Sequence, residues 1–363
     1  MKILCHINSL GRGGAERVMA TLINKFIEEG HEVVLATIWN ADDEYVISDE
    51  AKRIHVGLVG SEENKGRISK FYKRYKRLRD TIKVEHPDVV LAFTRNVNYR
   101  AVLASISCKV PVVVSERNNP STSYPGIVHK LMVELIYGMA DRNVCQTTMV
   151  MNYFSERIRR KSVVIPNPLN SKYLGIESAK NRSKRIVTAG RLHAEKDHMT
   201  LLESMIKVHE KYPDYIAEIY GSAEGDNTAD RLKQFIHDNE MYEYVKLMGD
   251  SNTLEKDILD ATCFTLTSIH EGMPNALIEA MAIGIPVIST DCPGGACKQI
   301  VANNDSGYMV PVGDSDALSS AIIHVIENPA EAEEKAKRAM YVKDEMNPDK
   351  IYAEWMECLK ACI

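Results

Sequence analysis

The sequence predicts an α/β protein built from two doubly wound parallel sheets, and three observations carry that expectation. Short apolar runs alternate with helix-length amphipathic segments up to residue 165, a polar stretch at 166–185 breaks the rhythm, and the alternation resumes at 186. A chain of 363 residues is too long for one ordinary core and suits two.

In the first half the strand candidates are 3–8, 32–38, 89–93, 112–115, 143–145 and 163–165, with a first helix expected from about 15 to 29. Helical patterns, not hairpin turns, separate them, which points to parallel pairing. The polar stretch carries Pro166, Pro168, Asn170, Gly175 and a Ser/Lys/Asn/Arg cluster, the composition of an interdomain linker. Further candidates follow at 186–189, 216–220, 245–247, 263–266, 287–289 and 308–310. The chain is thus expected to divide into a first domain at 1–167, a linker at 168–184, a second domain at 185–340 and a closing helical segment at 341–363, amphipathic over 351–359.

A net charge of −5 gives no nucleic-acid footprint for the whole molecule. Eight cysteines (Cys5, Cys108, Cys145, Cys263, Cys292, Cys297, Cys358, Cys362) are scattered without a Cys-x-x-Cys pair, as expected of reduced, buried thiols in a cytoplasmic chain. No apolar run approaches the roughly 20 residues a membrane span requires, and His6 and Asn8 break the opening run, which reads as a first strand and not as a signal peptide.

The stretch from Ser268 to Ala282 concentrates the chemistry. After the apolar run 263–266 come Glu271, Gly272 and Met273, then Pro274 and Asn275 as helix start signals, then Ala276 to Ala282 with helical composition. The first N–H groups of a helix lack internal partners and carry the positive end of its dipole, so Gly272, Met273, Asn275 and Ala276 can hold a diphosphate largely by backbone. Glu279 lies two turns beyond Glu271, about 12 Å along a helix at about 1.5 Å per residue. A carboxylate accepts two hydroxyl hydrogen bonds in one plane, which suits the vicinal diol of a ribose or hexose.

Two glutamates seven residues apart around Gly-Met-Pro-Asn-Ala-Leu-Ile closely resemble the donor motif of the retaining GT-B glycosyltransferases of family 4. The resemblance implies two Rossmann-like domains facing across a cleft, with Glu271 contacting the transferred sugar and Glu279 the nucleotide ribose. The plain alternative is a loop acid and a surface helix acid.

Three other segments fall at strand ends. Gly11 to Arg17 lies between the first strand and helix, where Gly13 and Gly14 permit close backbone approach to a ligand. A dinucleotide fingerprint would need glycine where Glu16 stands and an acid after 37–40, so a dehydrogenase is disfavoured. The loop resembles the family's Gly-Gly-Ala-Glu-Arg segment, which closes over the donor. Gly190, Arg191 and Lys196 follow a strand, and two cations at a sheet rim can neutralise a diphosphate leaving group. They resemble the family's Gly-Arg-Leu…Glu-Lys-Gly segment, although Asp197 and His198 stand where small residues are commoner. Ser115-Glu116-Arg117-Asn118-Asn119-Pro120 resembles a segment of enzymes that add hexose or N-acetylhexosamine to lipid-linked glycans. Other members have a donor-contacting histidine near this place; here Glu116 or Arg117 is the candidate, the alternative being a local pair.

Residues 65–83 form a basic amphipathic pattern, with Ile68, Phe71, Tyr72, Tyr75, Leu78 and Ile82 on one stripe and lysines and arginines elsewhere. It is either a core-packed helix with a solvated face or a contact to anionic lipid at roughly 1 kcal/mol per cation. The resemblance points to the latter, with peripheral attachment to the inner face of the plasma membrane. Asp314-Ser315-Asp316 spells the Asp-x-Asp of metal-dependent GT-A transferases, yet it opens a helix and reads as an N-cap; no metal and no cofactor are expected.

Together these readings and the resemblance imply a glycosyltransferase that moves a hexose or N-acetylhexosamine from a nucleotide-diphosphate sugar, expected to be UDP-linked, to a lipid-linked or glycan acceptor, and family analogy supplies the retaining outcome. The competing readings are an epimerase or hydrolase of the same architecture and a non-catalytic UDP-sugar-binding partner of a membrane complex.

Overall fold

The computed structural model describes residues 1–11, 13–64, 66–117, 126–223 and 225–363. The chain forms two compact units, Met1–Pro168 with Asp349–Ile363, and Leu169–Pro348.

The first unit is a seven-stranded parallel sheet of β1 (Lys2–Ile7), β2 (Glu32–Thr37), β3 (Lys52–His55), β4 (Val89–Phe93), β5 (Val112–Glu116), β6 (Arg142–Cys145) and β7 (Ser162–Val164), in the order β3-β2-β1-β4-β5-β6-β7. Strand order reverses where Ile3 of β1 pairs Val33 on one side and Val89 on the other, the switch point at which open sheets bind ligands. Side chains alternate across the sheet. Ile3, Cys5 and Ile7 face α1 (Gly14–Glu28), while Leu4 faces the layer of α2 (Arg67–Glu85), α3 (Arg95–Cys108), α4 (Ile127–Tyr137), α5 (Thr148–Tyr153) and α6 (Glu156–Arg159). β3 escaped the sequence pattern because an edge strand pairs on one side only, and Lys-Arg-Ile-His has no apolar run.

The second unit is a six-stranded parallel sheet of β8 (Ser183–Ala189), β9 (Ile216–Tyr220), β10 (Val245–Gly249), β11 (Ala261–Leu266), β12 (Val287–Thr290) and β13 (Tyr308–Val310), in the order β10-β9-β8-β11-β12-β13. One face packs α7 (His198–Lys211), α8 (Thr228–Asp238), α10 (Ser315–Glu327) and α11 (Pro329–Ala339); the other packs α9 (Asn275–Ala282). The stretch expected as a linker is structured from Leu169 onward. Leu169 and Tyr173 are buried in the core around α9, and β8 begins three residues early because Arg185 pairs with Glu218 at 2.6 Å and with Asp260.

The last helix, α12 (Pro348–Lys360), packs on the first unit, where Ile351, Trp355 and Leu359 are buried beside α1 and Trp355 lies 5.5 Å from the Phe93 ring. Residues 342–346 stay in the second core, so the crossing falls at 348 and 349. All eight cysteines are free thiols; burial pushes Cys263 and Cys358 up to about 12, which leaves them inert. Among the described residues no helix is long and apolar enough to cross a membrane.

Candidate active site

In the second unit the site grows from the carboxyl ends of β8, β9 and β11. Gly190 donates its amide to Tyr220 O at 2.9 Å, and Gly221, with φ +142°, donates to Gly249 O at 2.8 Å. A Cβ on Gly221 would stand 2.0 Å from Gly190 O, so this approach of two strand ends requires glycine. His198 is the next constraint. Its Nε2 lies 3.3 Å from Gly190 O and 3.2 Å from Arg191 O, and burial lowers its pKa to about 4. A neutral imidazole therefore donates to the carbonyls that aim Arg191, which accounts for the departure from a small residue there. Arg191 itself is exposed.

Lys196 ends a 3₁₀ turn at Ala194–Lys196 and returns along Gly190, where an added Cβ would touch its stem at 3.4 Å. Its Nζ meets Glu271 Oε1 at 2.5 Å, and Ser268 Oγ donates to the same oxygen at 2.6 Å. The loop bearing Glu271 is stitched to the turn by Ile269 N to Glu195 O at 2.9 Å and Thr267 Oγ1 to Lys196 O at 2.8 Å. Thr290 Oγ1 holds Ser268 O at 2.7 Å. Glu271 is 9 % exposed, buried enough that its charge needs the ammonium beside it.

The helix after this loop starts at Asn275, with Pro274 at its N-cap and no side-chain cap, and Gly272, Asn275 and Ala276 are partly exposed. Its positive end thus stays accessible to an anion, while Met273 is buried beneath. Glu271 stands in the loop before this helix, so helical rise measures only the last turns between the two glutamates. Glu279 lies on α9 and accepts from Tyr173 OH at 3.2 Å.

Two supports were not foreseen. Tyr173 comes from the stretch expected as a linker. The turn Pro293-Gly294-Gly295, with φ of +116° and +71° at the glycines, follows β12 and accepts the Glu271 amide through Pro293 O at 3.4 Å. Paired glycines at a strand's carboxyl end were the available signal. Asp314 caps α10 by accepting the Ala317 amide at 2.8 Å, and Asp316 pairs with Lys207.

In the first unit Gly13 is the N-cap of α1 and Gly14 its first residue. A Cβ on Gly13 would overlap the Glu16 carboxylate at 2.1 Å, so glycine makes room for the acid that folds back over the helix start. Arg12 and Asn118 to Pro125 lie outside the described residues. Glu116 ends β5 with no exposure; its Oε2 accepts from Tyr137 OH at 3.0 Å, its Oε1 from the Arg117 amide at 3.2 Å, and Asn98 Nδ2 reaches the same tyrosine oxygen at 2.8 Å. The carboxylate is thus held inside the first unit by Tyr137 and by the amide of its own neighbour. Arg117 stacks over Phe93 at 4.6 Å and binds Asn167 at 2.5 Å; burial brings its guanidinium down to about 9, against the pull of Glu116 and Glu16.

The basic helix α2 is a packed helix. Leu78 and Ile82 are buried, Phe71 and Tyr75 rest on the core, and only Ile68 and Tyr72 of the stripe are exposed. Glu62 accepts Lys73 at 2.9 Å and Arg77 at 2.8 Å, and Arg79 pairs with Asp80 at 3.0 Å. Lys65 is outside the described residues.

Two Rossmann-like units, one carrying an ammonium, a carboxylate and an open helix N-terminus at a sheet edge, define a GT-B glycosyltransferase. Residues 172–342 match the family described as Glycosyl transferases group 1, and residues 12–173 match Glycosyltransferase Family 4. The chain belongs to this family. It is similar to two Campylobacter jejuni enzymes. One is the N-acetylgalactosamine-N,N'-diacetylbacillosaminyl-diphospho-undecaprenol 4-alpha-N-acetylgalactosaminyltransferase, 27% identical over 90% of each chain. The other is an alpha-1,4-N-acetyl-D-galactosaminyltransferase named for a PP-undecaprenol acceptor, 24% identical over 99% of this chain and 98% of that one. Among solved structures, Anabaena Alr3699/HepE in complex with UDP superposes with a TM-score of 0.83 at 16% identity, covering 99% of this chain and all of the other.

Proposed function

We propose that this chain is a retaining glycosyltransferase that moves a hexose or N-acetylhexosamine from a UDP-linked sugar to a lipid-linked glycan in bacterial polysaccharide or glycan biosynthesis. The observation that carries the reading is the 2.5 Å contact of Lys196 with Glu271 beside the open start of α9. Without donor, the ammonium neutralises the carboxylate. When a diphosphate docks on Gly272, Met273, Asn275 and Ala276, Lys196 turns to it, Arg191 joins, and both stabilise the charge that develops as the sugar–phosphate bond breaks. Glu271, released from the ion pair but still fixed by Ser268, orients the sugar hydroxyls. Glu279 binds the ribose diol, held in its rotamer by Tyr173. Glu116 is a positioning residue that fixes the turn before Arg117. Gly13 and Gly14 leave the start of α1 open to close backbone approach by a donor group.

The names of the two Campylobacter enzymes, both of which carry undecaprenol, support an acceptor on a polyprenyl diphosphate. The UDP bound in the Anabaena protein supports the nucleotide. Such an acceptor stays in the bilayer, so the enzyme works as a peripheral membrane protein on the cytoplasmic face. The decisive experiment offers a panel of UDP-sugars with polyprenyl-diphosphate-linked glycans and reads products by mass. A mass increase of one hexose or N-acetylhexosamine is expected. Sugar release without acceptor would make the chain a hydrolase or epimerase, and UDP binding without any turnover would make it a binding partner.

A further inference from the structure

Cys292 and Cys297 flank the turn Pro293-Gly294-Gly295-Ala296, and their sulfurs lie 3.6 Å apart. Both side chains are buried. At Cys5 and Cys263 burial alone acts on the thiol and raises it, which keeps the sulfur protonated. At the turn the Cys297 thiol donates to the Cys292 sulfur, which holds Cys292 below the usual cysteine range and Cys297 well above it. A thiolate is the nucleophile of sulfur chemistry, and this contact favours one beside a second thiol that can resolve its product.

The pair is tied to the donor site. Thr290, two residues before Cys292, holds Ser268 O at 2.7 Å, and Ser268 Oγ donates to Glu271 at 2.6 Å. Within the turn, Pro293 O accepts the Glu271 amide at 3.4 Å. The Glu271 charge opposes ionisation of both sulfurs, as a neighbouring carboxylate must. Gly294 and Gly295, at φ +116° and +71°, make the turn one that can change shape. Asp291 and Pro293 on either side of Cys292 are exposed, so its sulfur lies directly beneath the surface.

We propose that Cys292 and Cys297 are an oxidation site, closed to a disulfide by a hydroperoxide, and that the closed form slows sugar transfer. The Cys292 thiolate attacks one peroxide oxygen: an S–O bond forms, the O–O bond breaks, and the leaving hydroxide takes a proton to become water. Cys297 then attacks the sulfenic sulfur: the S–S bond forms, the S–O bond breaks, and the Cys297 proton leaves with the hydroxyl as a second water. The two sulfurs lose two electrons in all, and the peroxide gains them. Drawing the sulfurs from 3.6 Å to about 2.05 Å pulls the ends of the turn together. Pro293 O shifts with them, and so does the Glu271 amide that it holds. A misplacement on the order of 1 Å near a reacting group can cost about 10²-fold. Arg191, Lys196 and the start of α9 lie outside the turn, so UDP binding persists. The oxidation stands apart from the proposed function; its effect on turnover rests on that reading.

The test treats the full chain with hydrogen peroxide, removes the excess and maps the product by mass. The expected result is a mass lower by about 2 Da, with the link between Cys292 and Cys297. Turnover should fall about tenfold or more, UDP affinity by calorimetry should be unchanged, and dithiothreitol should restore full activity. Cys297→Ala should match wild type in melting temperature and in turnover before treatment, with Cys297→Ser as a second variant should alanine disturb the fold. Diamide, which couples two thiols within reach of each other, should cut turnover in wild type and leave the variants unchanged. No link between the two cysteines, a link with unchanged turnover, or an equal loss in the variants overturns the proposal. Failure of the transferase reading looks different: the link forms and reopens and UDP still binds, while the reduced wild type transfers nothing to any acceptor.

Discussion

Two carboxylates occupy comparable places in the two units, each at or just beyond the carboxyl end of an inner strand, yet their partners differ. Glu271 shares one oxygen with an ammonium and a hydroxyl, and its neighbours Gly272 and Asn275 are partly exposed. Glu116 is fully buried, with a tyrosine hydroxyl and a backbone amide among its partners. A buried carboxylate beside an ammonium can exchange that cation for a ligand, whereas one that binds a tyrosine hydroxyl and the next residue's amide holds backbone in place. Position at a sheet edge alone does not separate a reacting group from a framing one. The partner does.

The largest expected effect tests the exchangeable pair. Glu271→Gln should cut turnover about 10²–10³-fold yet leave UDP affinity equal or higher, since the competing carboxylate is gone. Lys196→Ala should weaken UDP by about 1.5–3 kcal/mol, the loss of a charge-assisted contact. Calorimetry that finds UDP affinity unchanged in Lys196→Ala would remove the ammonium from the donor site.

Next comes acid stability, through a second matched pair, the histidines His6 and His198. Burial holds them near 3 and near 4, so both are neutral in the folded chain, while an unfolded imidazole titrates at about 6.5. Below that value the unfolded state binds the extra protons. Stability is full above about pH 6.5 and is lost progressively as pH falls toward 4, by up to about 3 kcal/mol for His198. Melting curves from pH 7 to 4.5 should therefore slope less steeply for His198→Gln than for wild type; identical slopes would show that the imidazole is already charged in the fold.

Glu116→Gln sharpens the contrast from the other side. It should cost about 1–3 kcal/mol of stability through a disturbed buried network, with UDP affinity retained. A turnover loss as deep as that of Glu271→Gln, without loss of stability, would make Glu116 a reacting group. Tyr173→Phe removes one hydrogen bond to Glu279, about 1 kcal/mol, and should narrow the preference for UDP over 2′-deoxy-UDP. Smallest of all is the effect of EDTA, which should leave turnover unchanged; loss in EDTA and recovery with manganese would demand a metal.

What was legible follows the same divide. Glu271 to Glu279 is contiguous, and its loop-then-helix form is written in Gly272, Pro274 and Asn275. The pairing of Lys196 with Glu271 spans 75 positions, and only the sheet order β8-β11 brings them together. Tyr173 looked like linker because Asn170 and Gly175 surround it, although its ring belongs to a core. His198 looked like a departure because a donor aimed at backbone carbonyls leaves no periodic trace. In the first unit the sequence showed Glu116 at a strand end, while its partner Tyr137 and that tyrosine's partner Asn98 sit on helices 21 and 18 residues away. The exposure of Ile127, Val128, Leu131 and Leu135 on α4 was illegible for the opposite reason: apolar residues on both faces read as ordinary core.

The helix bearing Trp355 sets an order of events in synthesis. The first unit is begun first but finished last, because Ile351, Trp355 and Leu359 complete the core over Phe93 only after Leu169–Pro348 has been made. At about 5–20 residues per second the early half waits on the order of ten to forty seconds with that hydrophobic seam open. Nascent chains stalled short of residue 349 should therefore be cut by protease within residues 1–168 more readily than finished ones, and a fragment ending at 168 should need a supplied peptide of 349–363 to become resistant.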